Sequence, residues 1–96
     1  MNSELKMDLI SILMSVHNST DTIEKSVQSI LNQDYKNIEF LIMDDGSTDD
    51  TYAKLLKLSE KNKNIVLFRN TKNIGLTKSL NILIKNSNGK ILGRQD

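Results

Sequence analysis

The 96-residue sequence contains no cysteine, no proline and no tryptophan. The absence of cysteine excludes disulfides, thiolate metal sites and cysteine nucleophiles, and it is typical of a protein from a reducing compartment. No apolar run approaches the roughly 20 residues of a membrane-spanning helix. The first residues lack the basic and then apolar pattern of an export signal. A soluble cytoplasmic protein is therefore the expectation.

The sequence also has no excess of positive or negative charge. The chain has 13 lysines and arginines and 12 aspartates and glutamates, which gives a net charge of +1. This balance argues against a domain that binds nucleic acid through a basic face. The single histidine, His17, has no acidic or cysteine companions in its segment, so the evidence for a metal site there is weak. The length allows one small domain or a part of a larger one.

Hydrophobic patterning predicts seven elements that alternate between strand and helix. Short apolar runs rich in Ile, Leu and Val predict strands at residues 9–16, 38–43, 65–68 and 90–93. Patterns of helical period run through residues 23–31, from about 49 to 62 and from about 75 to 87. The order βαβαβαβ with short connections predicts an α/β fold, in which helices flank a parallel sheet.

Each helical pattern has one face that is expected to pack against the sheet. The predicted faces are Ile23, Val27, Ile30 and Leu31 in the first helix, Tyr52, Leu55, Leu56 and Ser59 in the second, and Leu76, Leu80, Leu83 and Ile84 in the third. Asp21, followed three residues later by Glu24, predicts an N-terminal cap for the first helix.

Polar residues concentrate where the predicted strands end, and ligands of open α/β sheets bind beyond the carboxyl ends of the strands. Residues 15–18 end the first strand and residues 44–50 follow the second. Asp44 and Asp45 are expected to face opposite ways, because successive strand residues alternate. Asp45 favours a ligand site, because the neighbouring Gly46 has no side chain to keep a ligand away.

Other polar residues at these strand ends have structural interpretations. Ser47, Asp49 and Asp50 favour capping of the second helix through hydrogen bonds and the helix dipole. His17, judged from the residue pattern alone, is interpreted as a partly buried ring in a loop. Lys78 could reach an anion from the first turns of the third helix, and the alternative is an exposed surface lysine.

Five segments resemble the motifs of family 2 glycosyltransferases, in the family's order and at its spacing. The first two are similar to S-V-I-I-P-V-Y-N and S-x-L-x-Q-x-Y, and the third, which is the most similar, to I-V-V-D-D-G-S-T-D-x-T. The fourth is similar to N-x-G-L-A-x-A-x-N, and the fifth to the approach to D-A-D-D. These segments are residues 11–18, 29–35, 40–51, 73–81 and 89–96.

The resemblance implies the Rossmann-like, nucleotide-binding half of a GT-A fold and inverting transfer of a sugar from a nucleotide diphosphate. The nucleotide-binding residues that it implies are Ser15, Val16, His17, Asn18, Asp44, Asp45, Gly46 and Lys78. His17 stands where the family usually has Tyr and would stack on the base. Asp45 would accept a hydrogen bond from a ring N–H of the base, and Asp44 would support the pocket. Uracil presents N3–H where cytosine has an acceptor, so a UDP-sugar is the expected donor, although guanine also offers a ring N–H.

The resemblance also implies a metal and a further part of the enzyme. Asp96 would be the first residue of a D-x-D motif that holds Mg²⁺ or Mn²⁺ at the diphosphate. Residues 1–7 would form an N-terminal extension, and residues 8–96 the N-terminal part of a glycosyltransferase domain. The catalytic base and the acceptor site would follow residue 96, so the 96-residue chain by itself is expected not to transfer sugar.

The expected partners are a nucleotide-sugar donor and a saccharide, lipid-linked or protein acceptor, in the assembly of surface polysaccharides or glycoproteins. No nucleic acid is expected as a partner. The resemblance further implies that the full-length protein is cytoplasmic and associates peripherally with the inner face of the cell membrane.

Three other functions share parts of this pattern. A non-catalytic nucleotide-binding or assembly module would have the same elements. A signalling receiver domain also has acidic residues at this sheet edge, but its acidic pair follows the first strand, which here ends in His17 and Asn18. A sugar nucleotidylyltransferase would need a Gly- and Arg-rich loop after the first strand, and residues 15–21 contain neither residue type.

Overall fold

A computed structural model of the chain describes residues 8–34 and 37–95. It confirms the predicted α/β fold and the βαβαβαβ order. The strands are β1 (Ile10–Val16), β2 (Ile38–Asp45), β3 (Ile65–Asn70) and β4 (Lys90–Gln95), and the helices are α1 (Ile23–Leu31), α2 (Thr51–Lys61) and α3 (Leu76–Asn86). Residues 1–7, predicted as an extension, and Asp96, predicted to begin a metal motif, lie outside the described residues.

The four strands form one parallel sheet in the order β3-β2-β1-β4. β1 and β2 are central, and residues 11–16 and 40–45 are buried on both faces of the sheet, as their unbroken apolar runs predict. β3 and β4 lie at the two edges of this sheet, and β3 and residues 90–92 are more exposed than the central strands. Because all the strands are parallel, their carboxyl ends meet at one edge, which we call the carboxyl rim.

Alternation of side chains along β1 and β2 divides the core into two layers. On one face of the sheet, the strand residues pack against α1 and α2, and on the other face they pack against α3. The first layer contains Ile12, Met14, Phe40, Ile42, Ile23, Val27 and Leu55. The second contains Leu13, Leu41, Met43, Leu80 and Leu83. The two layers fix the helices on the sheet and thereby position the loops at the carboxyl rim.

The first two helices confirm part of the predicted apolar faces. α1 buries Ile23, Val27 and Ile30, as predicted. The predicted face of α2 is too wide, because Leu55 is fully buried whereas Leu56 is 40% exposed. Consecutive residues of an α-helix lie roughly 100° apart around its axis, so only one of the two leucines can face the sheet.

The third helix also buries a narrower face than predicted. Leu80 and Leu83 are buried, whereas Leu76 and Ile84 are each 43% exposed. α3 packs on β1 and β2, and no other described helix shares its face of the sheet to cover the flanks. Within residues 8–34 and 37–95, no helix combines the length and the hydropathy needed to cross a membrane.

Two predictions about the ends of elements are corrected. α1 begins at Ile23 with Thr22 as its N-cap and without a side-chain capping hydrogen bond, so the predicted cap at Asp21 is wrong. β2 continues two residues further than predicted, because its parallel pairing with β3 extends to Asp44 and Asp45. Both carboxylates are therefore strand residues and take their directions from the pleat of the sheet.

A hydrogen-bonded cluster around Glu39 holds the connection between α3 and β4 against the central strands. Glu39 Oε2 accepts hydrogen bonds from the Ser11 hydroxyl at 2.5 Å and from the backbone N–H of Asn88 at 2.5 Å. The backbone N–H of Gly89 donates to Ser11 Oγ at 2.9 Å. A side chain at Gly89 would meet the Leu9 carbonyl oxygen at 2.5 Å, which explains the glycine.

This cluster stabilises the charged form of Glu39. Burial raises the pKa of the carboxyl group, but the hydrogen bonds from Asn88, Ser11 and Gly89 outweigh burial and lower the pKa below its ordinary value. The folded state therefore gains stability from Glu39 above the pKa of the unfolded chain, and it loses this stability as the pH falls through the folded-state pKa.

We predict that Glu39→Gln lowers the free energy of unfolding by about 1–3 kcal/mol at neutral pH, because an amide NH₂ must replace an oxygen that faces N–H donors. Urea unfolding followed by circular dichroism measures this difference. Glu60→Gln, an exposed site on α2, is the matched control and should change stability little. A deficit for Glu39→Gln that persists unchanged in acid, where Glu39 itself is protonated, would contradict the assignment.

Candidate functional site

Three loops at the carboxyl rim bring most of the predicted site residues together. They connect β1 to α1, β2 to α2 and β3 to α3, and comprise residues 17–22, 46–50 and 71–75. Strand register places Val16 beside Asp44 and Asp45 beside Asn70. The rim is thus a small polar surface held over a rigid sheet, with its groups supplied from positions far apart in the chain.

Asp45 joins the end of β2 to the beginning of α3. Its Oδ1 accepts hydrogen bonds from Asn70 Nδ2 at 2.9 Å and from the backbone N–H of Ile74 at 2.8 Å. Its Oδ2 accepts one from the backbone N–H of Gly75 at 2.9 Å. The buried Ser79 hydroxyl also contributes a hydrogen bond to the carboxylate, and Asp45 is only 3% exposed.

The environment of Asp45 favours the carboxylate form. Burial raises the pKa of Asp45, but the hydrogen bonds from Ile74, Asn70, Gly75 and the Ser79 hydroxyl outweigh burial and lower the pKa below its ordinary value. The group also lies at the N-terminal end of α3, where the helix dipole stabilises negative charge. A carboxylate that sequence reasoning assigned to a ligand is therefore also a structural anchor of α3.

Asp44 faces the opposite side of the sheet, as the alternation of β2 predicts. It is completely buried, and its Oδ1 accepts a hydrogen bond from the Ser47 hydroxyl. Asp44 Oδ2 has no hydrogen-bond partner among the described residues, but Arg69 Nε lies 3.8 Å away. The Arg69 guanidinium in turn lies 4.1 Å from the centre of the Tyr52 ring. Sequence reasoning missed Arg69 and Tyr52, because only strand register and the start of α2 bring them to Asp44.

The loop after β1 is joined to the loop after β2 through Asn18. The Asn18 backbone has a positive φ of 47°, a conformation that Asn adopts more readily than most residues. Its N–H donates to Ser47 Oγ at 2.8 Å, and its Oδ1 accepts a hydrogen bond from the backbone N–H of Thr48 at 2.8 Å. Ser47 was predicted to cap α2, and it instead connects Asn18 with the buried Asp44.

The remaining predicted caps of α2 differ from each other. Asp49 Oδ1 accepts a hydrogen bond from the Thr51 N–H at 2.9 Å, in the first turn of the helix, as predicted. Asp50 is the N-cap residue, as its predicted place at the helix start requires, but the predicted side-chain hydrogen bond is not formed. Asp49 already accepts the hydrogen bond of the Thr51 N–H, the first N–H of α2. Asp50 is exposed to solvent.

His17 lies at the centre of the rim with its side chain exposed. Its Nδ1 is 2.7 Å from the backbone oxygen of Asp45, and its Nε2 is 3.2 Å from Asn18 Nδ2. The ring is therefore anchored to the end of β2 and to the next residue of its own loop. This replaces the simpler interpretation of His17 as a partly buried ring in a loop.

A cleft of about 250 Å³ begins beside His17 and extends below the start of α1. Three of the predicted site residues, Ser15, Val16 and His17, contribute to its wall. The other residues of the wall are Met14, Ser19, Thr22, Ile23 and Ser26. Four of the eight residues of the wall carry hydroxyl groups. Its volume is below the range of about 300–1,000 Å³ typical of complete small-molecule pockets.

Gly46 and Lys78 have surroundings that the sequence did not predict. Gly46 has a φ of +71°, and a Cβ there would lie 2.4 Å from the backbone nitrogen of Asn73 and 2.5 Å from the carbonyl carbon of Lys72. The backbone that approaches Gly46 closely is the chain's own, which corrects the expectation that this space admits a ligand. Lys78 is exposed on α3, and no hydrogen bond or ion pair joins it to the other predicted residues in the described ranges.

The described residues do not supply a metal site. Within residues 8–34 and 37–95, no group of three or more His, Cys, Asp or Glu side chains is placed to hold a metal ion. Asp44 and Asp45 point to opposite faces and are bound to other groups. The residue predicted to begin a metal motif, Asp96, lies outside the described part of the chain.

The sequence is similar to known glycosyltransferases. The model of glycosyl transferase family 2 matches residues 11–96. The Escherichia coli protein WfaP, a UDP-Glc:alpha-D-GlcNAc-diphosphoundecaprenol beta-1,3-glucosyltransferase, is 38% identical over 90 residues, which are 94% of this chain and 35% of WfaP. A glycosyltransferase of Haemophilus influenzae is 38% identical over 88 residues, or 92% of this chain and 27% of the relative. The chain therefore spans about a third or less of the length of these relatives.

Solved structures share the fold. Residues 1–349 of S. aureus TarS, in complex with UDP-GlcNAc, match with a TM-score of 0.79 and 27% identity over 91% of this chain and 26% of that one. The mannosyltransferase PcManGT from Pyrobaculum calidifontis, in complex with GDP-Man and Mn²⁺, matches with a TM-score of 0.77 and 24% identity over 83% of this chain and 24% of that one. These likenesses show the GT-A fold that the sequence resemblance implied.

We predict that Asp45→Asn lowers the free energy of unfolding by about 1–3 kcal/mol near neutral pH, because the amide NH₂ must face an N–H donor of the loop before α3. Urea unfolding measures the change. The stability from Asp45 is present above the unfolded-state pKa and is lost as the pH falls through the lowered folded-state pKa, so the two proteins should converge in acid. Asp50→Asn, at an exposed site without a capping bond, is the control. Equal effects of the two substitutions would refute the anchoring role of Asp45.

Proposed function

The chain belongs to glycosyl transferase family 2, and we propose that it binds the nucleotide of a nucleotide-diphosphate sugar, a UDP-sugar, through its carboxyl rim. The observation that carries the proposal is the extent of the family match, because residues 11–96 include all three loops of the rim. The complex of TarS with UDP-GlcNAc supports a uridine nucleotide as the ligand. The contacts we propose come from Ser15, Val16, His17 and Asp45, whereas Asn18, Asp44 and Gly46 hold the loops around them. A role for Lys78 stays a prediction from the family resemblance.

The chemistry of the rim suits a uracil base. We propose that Asp45 Oδ2 accepts a hydrogen bond from the N3–H of uracil, whereas cytosine has an acceptor at N3 and would face the carboxylate with a lone pair. The His17 ring lies beside Asp45 and exposes a flat surface on which a base can stack. Asp44 contributes through Ser47 and the loops, and we assign it no contact with the nucleotide.

We further propose that the whole enzyme transfers the sugar to an acceptor hydroxyl with inversion. Such a reaction needs a general base for the attacking hydroxyl, and we assign this role to none of the described residues. The name of WfaP gives alpha-D-GlcNAc-diphosphoundecaprenol as the acceptor of that enzyme. This supports a lipid-linked saccharide as the acceptor class. The proposal includes a cytoplasmic location at the inner face of the membrane and a role in polysaccharide assembly.

A divalent cation has no part in the proposed contacts with the base. PcManGT was solved with Mn²⁺, and Mg²⁺ or Mn²⁺ at Asp96 remains a prediction from the family resemblance. The residues in the described ranges do not form a cluster that fits such an ion. The proposed binding of the base does not depend on the ion, because it uses only Asp45 and the ring of His17.

We predict that UDP binds more tightly than CDP by tenfold or more, because CDP leaves the Asp45 acceptor without a donor. His17→Ala should weaken UDP binding about fivefold or more, since base stacking on a ring contributes about 1 kcal/mol or more. Titration of the ¹⁵N-labelled protein with UDP, CDP and GDP, followed by amide NMR, measures both effects and identifies the residues that respond.

Lys63→Ala is the control for this titration, because Lys63 is exposed in the turn before β3, at the amino end of the strand. The control should bind UDP like the unchanged protein, and shifts should concentrate at residues 15–18 and 44–46. Equal affinity for UDP and CDP would contradict the role of Asp45. Shifts confined to residues away from the three loops would contradict the proposed pocket.

A further inference from the structure

Both nitrogens of the His17 ring are engaged within the chain. Nδ1 lies 2.7 Å from the backbone oxygen of Asp45, and Nε2 lies 3.2 Å from the side-chain nitrogen of Asn18. A carbonyl oxygen only accepts hydrogen bonds, so Nδ1 must carry the proton of the first contact. An amide NH₂ only donates, so Nε2 must be the acceptor of the second. The two contacts independently specify the same tautomer, a neutral ring protonated at Nδ1.

The orientation of the Asn18 amide is itself specified by a third contact. Asn18 Oδ1 accepts a hydrogen bond from the backbone N–H of Thr48 at 2.8 Å. A flipped amide would place its NH₂ against that N–H donor, so the NH₂ group must point to His17. The Asn18 backbone is held as well, because its N–H donates to Ser47 Oγ, and Ser47 is hydrogen-bonded to the buried Asp44.

We propose that Asn18 is a positioning residue that holds the His17 imidazole in its Nδ1-protonated tautomer and fixes the plane of the ring at the carboxyl rim. The role of the fixed ring as a surface for the nucleotide base rests on the proposed function, whereas the tautomer and its dependence on Asn18 do not. Asn18 itself touches no ligand in this account.

This arrangement limits what His17 can do. With Nδ1 donating and Nε2 accepting, neither nitrogen is available to bind a metal or to take a proton from an acceptor hydroxyl while the contacts hold. The ring can meet a ligand through its face and its C–H edge, which are the surfaces that stack on a base. Because the ring is already oriented, binding needs less ordering of this side chain than a free imidazole would require.

The first test reads the tautomer without any ligand. His17 is the one histidine of the chain, so the imidazole ¹⁵N signals of the uniformly labelled protein belong to it alone. Long-range ¹H–¹⁵N spectra distinguish a protonated from an unprotonated ring nitrogen. We expect a protonated Nδ1 and an unprotonated Nε2 in the unchanged protein. A ring protonated at Nε2 and not at Nδ1 would overturn the proposal, whether or not a nucleotide binds.

Two substitutions of Asn18 test its control over the ring. Asn18→Gly keeps a residue suited to the positive φ and removes the amide. Only the contact of Nδ1 with the Asp45 carbonyl then favours the original tautomer, so the fraction of rings protonated at Nε2 should rise. Asn18→Asp preserves the size of the side chain but replaces the NH₂ donor by an acceptor, so Nε2 should become protonated and donate to the new carboxylate. Asn64→Asp, with the same change of charge at the exposed residue before β3, should leave the ring signals unchanged.

UDP titration then tests the consequence for binding. We expect Asn18→Gly to bind UDP about two- to tenfold more weakly, because the ring must be ordered on binding, while the amide spectrum confirms that the sheet is intact. An unchanged tautomer in both Asn18 variants, or an unchanged UDP affinity in Asn18→Gly, would overturn the positioning role. Failure of the unchanged protein to bind UDP would instead count against the proposed function, and the ring signals would still decide the tautomer and its dependence on Asn18.

Discussion

The carboxyl rim depends on two adjacent carboxylates at the end of β2. Because side chains alternate along a strand, Asp44 and Asp45 leave the sheet on opposite faces. Asp45 holds the loop before α3 through the backbone N–H groups of Ile74 and Gly75. Asp44 holds Ser47 in the loop before α2, and Ser47 holds Asn18 in the loop after β1. Asp44 and Asp45 thereby connect the three loops that follow β1, β2 and β3 at the carboxyl rim.

The two carboxylates are stabilised differently. Burying a charge is costly unless hydrogen bonds or an opposite charge replace its hydration. Asp45 receives three hydrogen bonds in addition to the field of the α3 N-terminus. Asp44 has one hydrogen-bonded oxygen, and Arg69 lies 3.8 Å from the other. The rigidity that results is useful for binding, because a ligand that meets a preorganised rim loses less free energy to ordering of the protein.

Much of the fold could be predicted from the sequence, because its determinants are local. The unbroken run before Asp44 indicates a buried strand, and the spacing of Ile23, Val27 and Ile30 indicates a helix face. The exposure of Leu56 and Leu76 could not be predicted, because it depends on which other elements share their side of the sheet. The longer extent of β2 followed from pairing with β3, which no local pattern of β2 contains.

The location of the site and some of its residues could be predicted from the sequence. The contacts between these residues could not. The partners of the Asp45 side chain lie 25 to 30 residues further along the chain, and strand register decides which of them it meets. Gly46 was recognised as a position of close approach, yet the approaching group is the backbone of residues 72–73. The nucleotide was inferred from the family resemblance. A carboxylate, a histidine and several hydroxyl groups do not by themselves identify a nucleotide as the ligand.

A crystal structure of the protein with bound UDP would test the proposed site most directly. We expect the uracil ring to lie against the face of His17, with N3 at about 2.7–3.2 Å from Asp45 Oδ2. The hydrogen bonds of Asp45 to Ile74 and Gly75 should be retained. A uracil that lies beside Arg69 on the opposite face of the sheet, or that contacts neither His17 nor Asp45, would contradict the proposed site.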